Sequence, residues 1–72
     1  MSAPVVKVEL IYLKHYGMVL QALDATGRVT PVGNEYGLIN RAAPNAFVVA
    51  ELEAKAEAWA RACGVALKVS RL

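Results

Sequence analysis

Residues 5–32 read VVKVELIYLKHYGMVLQALDATGRVTPV, and this stretch decides the fold. Its first part, about residues 5–14, is rich in Val, Ile, Leu and Tyr, the residue types that suit a pleated, half-buried surface. Alternation puts Val6, Val8, Leu10 and Tyr12 on one face, and Val5, Lys7, Glu9, Ile11 and Leu13 on the other. His15-Tyr16-Gly17 reads as a three-residue turn with Gly17 at the position that needs positive φ. A second strand follows over 18–24. Asp24-Ala25-Thr26-Gly27-Arg28 repeats the device, with Asp24 and Arg28 facing each other across a loop that ends in Gly27. A third strand is expected over 28–32, and Pro31 marks it as a sheet edge.

The turns imply a register. Pairing Lys14 with Met18 sets Tyr12 opposite Leu20, Leu10 opposite Ala22 and Leu13 opposite Val19. Pairing Asp24 with Arg28 sets Leu23 opposite Val29. One face is then well filled with apolar side chains. The other carries Ile11, Leu13, Val19, Leu23 and Val29 among Lys7, Glu9 and Gln21.

Downstream, residues 33–44 form a long connection, and connections of that length in a small domain are often functional. Residues 45–63 are an amphipathic helix. Asn45 suits the N-cap and Gly64 the residue just past the C-terminus. Leu52, Ala56, Trp59 and Cys63 recur at helical spacing, with Val48 and Val49 extending the stripe. Glu51–Lys55 and Glu57–Arg61 are i,i+4 pairs with the acid first. Residues 65–70 alternate again and form the last strand, expected beside the first. The predicted class is α+β, a single domain over 1–72 in the order β-β-β-α-β. One amphipathic helix packs on a small, mostly antiparallel sheet.

Composition bounds the function. The chain has 72 residues, is 57% apolar and carries a net charge of +2. Thirteen of the apolar residues are alanine, so bulky core material is scarcer than the percentage implies. A chain this short is marginal as a monomer, and self-association is one remedy. Cys63 is the single cysteine and His15 the single histidine. No disulfide can form within one chain, no structural metal is expected, and the cysteine usage suggests a reducing compartment. The longest runs free of charged side chains, 15–23 and 42–50, are far below the roughly 20 residues of a membrane span. The N-terminus lacks the basic start and apolar stretch of a signal peptide. These features predict a cytoplasmic globular protein.

No catalytic set emerges. A nucleophile needs a base within hydrogen-bond reach. Cys63 lies on the inferred buried face of the helix, where a thiol is normally inert, and His15 sits in a turn. Glu51, Glu53 and Glu57 read as a solvated helix face rather than as paired acids. No phosphate-cradling glycine loop, HExxH or EF-hand pattern is present. The chain is therefore expected to be no enzyme and to need no cofactor.

Two binding surfaces remain. One helix can cover only one sheet face, so Ile11, Leu13, Val19, Leu23 and Val29 should form an uncovered apolar patch. Such patches mark interfaces, either with a second copy or with a partner protein. Tyr36 and Arg41 on the connection 33–44 join the candidate interface, because Tyr and Arg are enriched at interface hot spots. Alternatively, Tyr36, Leu38 and Ile39 fold back over the patch as a flap.

The second surface is basic. The helix holds Lys55 and Arg61 against three glutamates. The rest holds Lys7, Lys14, Arg28, Arg41, Lys68 and Arg71 against Glu9, Asp24 and Glu35. Lys14, His15, Tyr16, Arg28, Lys68 and Arg71 are the candidate nucleic-acid contacts, with aromatic and basic side chains mixed near the first turn. Against this, eight basic residues are a small supply for neutralising phosphates.

The leading expectation is a small homodimeric protein-interaction module. It would act as a regulator or inhibitor by occupying a partner's surface. The alternatives are a sheet-based nucleic-acid-binding accessory factor and a structural subunit of a larger assembly.

Overall fold

The computed structural model describes residues 4–13, 17–40 and 45–72, with positions 38–40 described as backbone only. The elements are β1 (Lys7–Tyr12), β2 (Met18–Leu23), β3 (Leu38–Asn40), α1 (Ala46–Cys63) and β4 (Leu67–Arg71). The fold is α+β, with one helix packed on a four-stranded mixed sheet of order β3-β2-β1-β4. β1–β2 and β2–β3 are antiparallel, and β4 runs parallel to β1, beside it as expected.

The first hairpin closes one residue earlier than the sequence suggests. The Leu13 N–H donates to the Gly17 carbonyl at 3.1 Å, so residues 14–16 lie between the paired positions. Gly17, at φ 99°, stands at the start of the ladder instead of inside the loop. Consequently Tyr12 faces Met18, Leu10 faces Leu20, Val8 faces Ala22 and Ile11 faces Val19. Because the displacement is an even number of positions, every side chain keeps its expected face. Val6 is the exception on the core side: it lies beyond the end of β1 and is exposed.

The second turn forms as read. Asp24 N–H donates to the Arg28 carbonyl at 2.9 Å and Gly27 takes φ 84°. The Asp24 carboxylate does not simply pair with the Arg28 guanidinium. It accepts from the backbone N–H of Thr26 and of Arg28, at 2.8 and 3.1 Å, and from the Thr26 hydroxyl at 2.6 Å. Side-chain oxygens of Asp commonly tie down turns in this way.

The expected strand 28–32 does not form as one piece. Val29 bridges Leu23 and Thr30 N–H reaches the Ala22 carbonyl at 2.9 Å, and there the pairing stops. The next residue whose backbone would turn toward β2, Val32, donates its N–H to the Glu35 carbonyl at 2.8 Å instead. The chain leaves β2, reverses at Val32–Glu35 with Gly33 at φ 60°, and returns to pair Leu38 with Leu20. Two steps along β2, from 22 to 20, therefore match eight steps along the incoming chain, from 30 to 38. The predicted loop 33–44 accordingly contains the third strand of the sheet. Gly37 permits the return: a Cβ there would stand 2.8 Å from the Leu20 carbonyl oxygen.

The helix matches its sequence signals at both ends. Asn45 Oδ1 accepts from Val48 N–H at 2.9 Å. Gly64, at φ 66°, donates to the Arg61 carbonyl, and Val65 N–H returns to the Ala60 carbonyl at 3.0 Å, the pair of bonds of a Schellman cap. Leu52, Ala56, Trp59 and Ala60 pack on Val8, Leu10, Met18, Leu20 and Ala22. Alanines at 56 and 60 let the helix sit close to the sheet, and Trp59, 6% exposed, supplies most of the bulk. Cys63 is half-buried, not buried as the helical stripe implied. Lys55 does not run along the helix to Glu51; its ammonium lies 3.0 Å from Glu35 at the tip of the excursion. Among the described residues, no helix is long and apolar enough to cross a membrane.

Candidate functional site

The helix occupies the face that bears Val8, Leu10, Met18 and Leu20, so the reverse face has no covering layer among the described residues. Alternation along β1 and β2 places Ile11, Leu13, Val19 and Leu23 there, all half-buried. Val29 joins through its bridge to Leu23 and is 47% exposed. The residues expected to share one apolar face do share it.

The patch is not continuous across the sheet. The row Lys68–Glu9–Gln21 crosses β4, β1 and β2 through its middle. Gln21 Nε2 donates to Glu9 Oε1 at 2.9 Å, and Lys7 Nζ stands 3.5 Å from Glu9 Oε2. The Gln21 hydrogen bond holds the Glu9 carboxyl below its ordinary range, opposed by partial burial and reinforced by the charges of Lys7 and Lys68. Continuity is restored along the outer side of β2. There Val19, Leu20, Gln21, Val29, Tyr36 and Gly37 line a largely apolar pocket of about 170 Å³. The flap arrangement is only partly realised: Tyr36 stands at the pocket but remains 65% exposed, so it forms a rim and not a cover. The split of the third strand creates this pocket, because the chain between 30 and 38 swings away from β2.

Arg41, the other interface candidate on the connection, lies outside the described residues, as do Lys14, His15 and Tyr16. The remaining basic candidates do not converge. Lys68 points to the open face through its pairing with Glu9. Arg71 belongs to the helix face, where its guanidinium lies 4.2 Å from the centroid of the Tyr12 ring. Arg28 is exposed at the tip of the second hairpin.

Tyr12 is also engaged at its hydroxyl, which donates to Glu53. Burial raises the Tyr12 pKa, and the Glu53 carboxylate raises it further, against the pull of Arg71. Sequence reasoning missed this Tyr12–Glu53–Arg71 cluster. Its members are far apart in the chain, and only the packing of α1 across β1 and β4 brings them together. Among the described residues, no group of three or more His, Cys, Asp or Glu side chains is arranged to hold a metal ion.

The chain matches no family model, no curated protein and no solved structure.

Proposed function

We propose that this chain is a small non-enzymatic protein-interaction module. It acts as a homodimer, and as a regulator or inhibitor that occupies a partner's surface. The observation that supports this reading is the open sheet face, which carries Ile11, Leu13, Val19, Leu23 and Val29 and, along the outer side of β2, a pocket lined by Val19, Val29 and Tyr36. Apolar side chains around a concave site with a few polar groups are the usual anatomy of a binding hot spot. The pocket accommodates one apolar side chain of a partner, with the Gln21–Glu9 pair beside it available for a polar contact. A nucleic-acid-binding reading has less support, because Lys68 and Arg71 stand on opposite faces and the Tyr12 ring is already covered by Arg71.

Site-specific photocrosslinking tests the proposal. A benzophenone amino acid in place of Tyr36, irradiated in cells that make the protein, is expected to yield a discrete protein adduct. That adduct should disappear when Val19→Lys is added. Adducts to nucleic acid alone, or none, overturn the reading.

A further inference from the structure

The β4 edge of the sheet carries a further inference. β4 is an edge strand, and its backbone groups alternate between β1 and solvent. Val8 N–H donates to the Ala66 carbonyl at 3.4 Å and Leu72 N–H to the Tyr12 carbonyl at 2.9 Å. Residues 66, 68, 70 and 72 therefore turn their backbone toward β1, and Leu67, Val69 and Arg71 turn theirs outward. Among the described residues nothing pairs with that outer side. Exposed edges are normally blunted by proline, bulges or charged side chains. β4 has no proline and no bulge, and its two charged side chains, Lys68 and Arg71, stand beside Glu9 and the Tyr12 ring rather than across the outer edge. Its register with β1 is continuous from Leu67 to Arg71.

We propose that the outer edge of β4 pairs antiparallel with β4 of a second copy about a twofold axis through Val69, forming a continuous eight-stranded sheet. This inference rests on the homodimeric part of the functional reading and gives the dimer its location. The register is self-complementary. Val69 faces Val69 of the second copy, and Leu67 faces Arg71. Each of these outward residues exchanges both backbone hydrogen bonds with its opposite number.

Charge selects the same register. Lys68 falls opposite Ser70, so no like charges stand directly across the interface, an arrangement that would be destabilising. Centring on Lys68 would oppose two lysines, and centring on Ser70 would pair only positions 69–71 of β4 with one another. Val69 is 52% exposed in the single chain and gains an apolar neighbour at the axis. A twofold perpendicular to the sheet keeps both open faces on one side, so the dimer presents two Tyr36 pockets toward the same partner surface. The contact is isologous and closes on itself.

Sedimentation velocity of the full chain tests this. The unaltered protein is expected to sediment as a dimer. Val69→Lys and Val69→Glu should each weaken the dimer by about tenfold or more, since each places like charges at the axis. An equimolar mixture of the two should regain the dimer mass, because position 69 meets position 69. Unchanged far-UV circular dichroism and Trp59 fluorescence would show that the chains remain folded. A second route needs no added charge. Cys63→Ser combined with Val69→Cys should form a disulfide-linked dimer on oxidation, since directly opposed residues of this kind sit about 5.5 Å apart at Cα.

A monomeric unaltered protein, a Val69→Lys dimer as tight as the original, or a mixture that stays monomeric overturns the proposal. Val19→Lys separates the two readings. Retained dimer mass with loss of the Tyr36 crosslink fits both proposals. Loss of dimer mass moves self-association to the open face and overturns the β4 edge while leaving the interaction module standing.

Discussion

Replacing Gly37 by alanine probes the least regular part of the fold. An ideal Cβ at position 37 stands 2.8 Å from the Leu20 carbonyl oxygen, 3.4 Å from Gln21 Cβ and 3.5 Å from Gln21 Cα. Ordinary van der Waals contact begins near 3.4 Å. The Leu20 contact therefore requires a displacement of about 0.6 Å. The obstructing atom is backbone in the central hairpin and cannot rotate aside. Overpacking of this kind costs about 1–3 kcal/mol. Restricting the unfolded chain returns about 0.4–1 kcal/mol. The net expectation is a loss of about 1–2 kcal/mol, or roughly 5–15 °C in Tm for a domain of this size.

Gly27→Ala is the control. Position 27 has φ 84° with nothing within 4 Å of an added Cβ, so its cost is conformational and confined to the turn. Urea denaturation measures both losses, and amide hydrogen exchange separates them. Gly37→Ala should speed exchange across Leu38–Asn40 while the Leu52–Trp59 region keeps its relative protection, and Gly27→Ala should leave β3 protected. If Gly37→Ala were neutral or stabilising, the claim that β3 returns against β2 at contact distance would be refuted.

Two further predictions concern stability. Trp59→Ala should cost about 3–5 kcal/mol, because its side chain is 6% exposed and fills the helix–sheet interface; a shift in urea midpoint corresponding to under 1 kcal/mol would contradict that packing. Acid titration should reveal Glu9 and Asp24. Both have folded-state pKa values below their ordinary ones, the first chiefly from the Gln21 hydrogen bond and the second chiefly from that of Thr26. Their stabilisation is complete above the unfolded values of about 4 and is lost as pH falls through the depressed folded values. Gln21→Ala should shallow the acid limb of the stability curve, and an unchanged limb would contradict the assignment. Tyr12 acts in the opposite direction: its raised pKa favours the protonated form, so that contribution is present below about pH 10 and disappears as pH climbs through the folded value. Tyr12→Phe should remove the alkaline limb.

Reading the chain before its fold succeeds where the signal is local and repeated. The helix is written in its own residues: Asn45 and Gly64 punctuate it, and Leu52, Ala56 and Trp59 recur at its period. The two faces of β1 and β2 are likewise legible, because alternation survives an even displacement of register; the altered position of Gly17 changed every partner and no face. The candidate interface was legible for the same reason, since Ile11, Leu13, Val19 and Leu23 follow from period two alone. The third strand was not legible. Leu38–Asn40 is too short to show alternation, and the more strand-like run at 28–32 leaves β2 after Thr30 because Val32 pairs with Glu35 instead.

The sequence by itself determined the class, the first two strands, the helix and its ends, and which residues of the central hairpin share a face, because these depend on propensity, capping and periodicity within a few residues. Tertiary structure alone decided the split of the third strand, the Tyr36 pocket, the Tyr12–Glu53–Arg71 cluster and the outward set Leu67, Val69 and Arg71 on β4. Each of these depends on which backbone groups a distant segment satisfies. That choice is made by packing and hydrogen-bond pairing across the sheet, between residues that no local pattern connects.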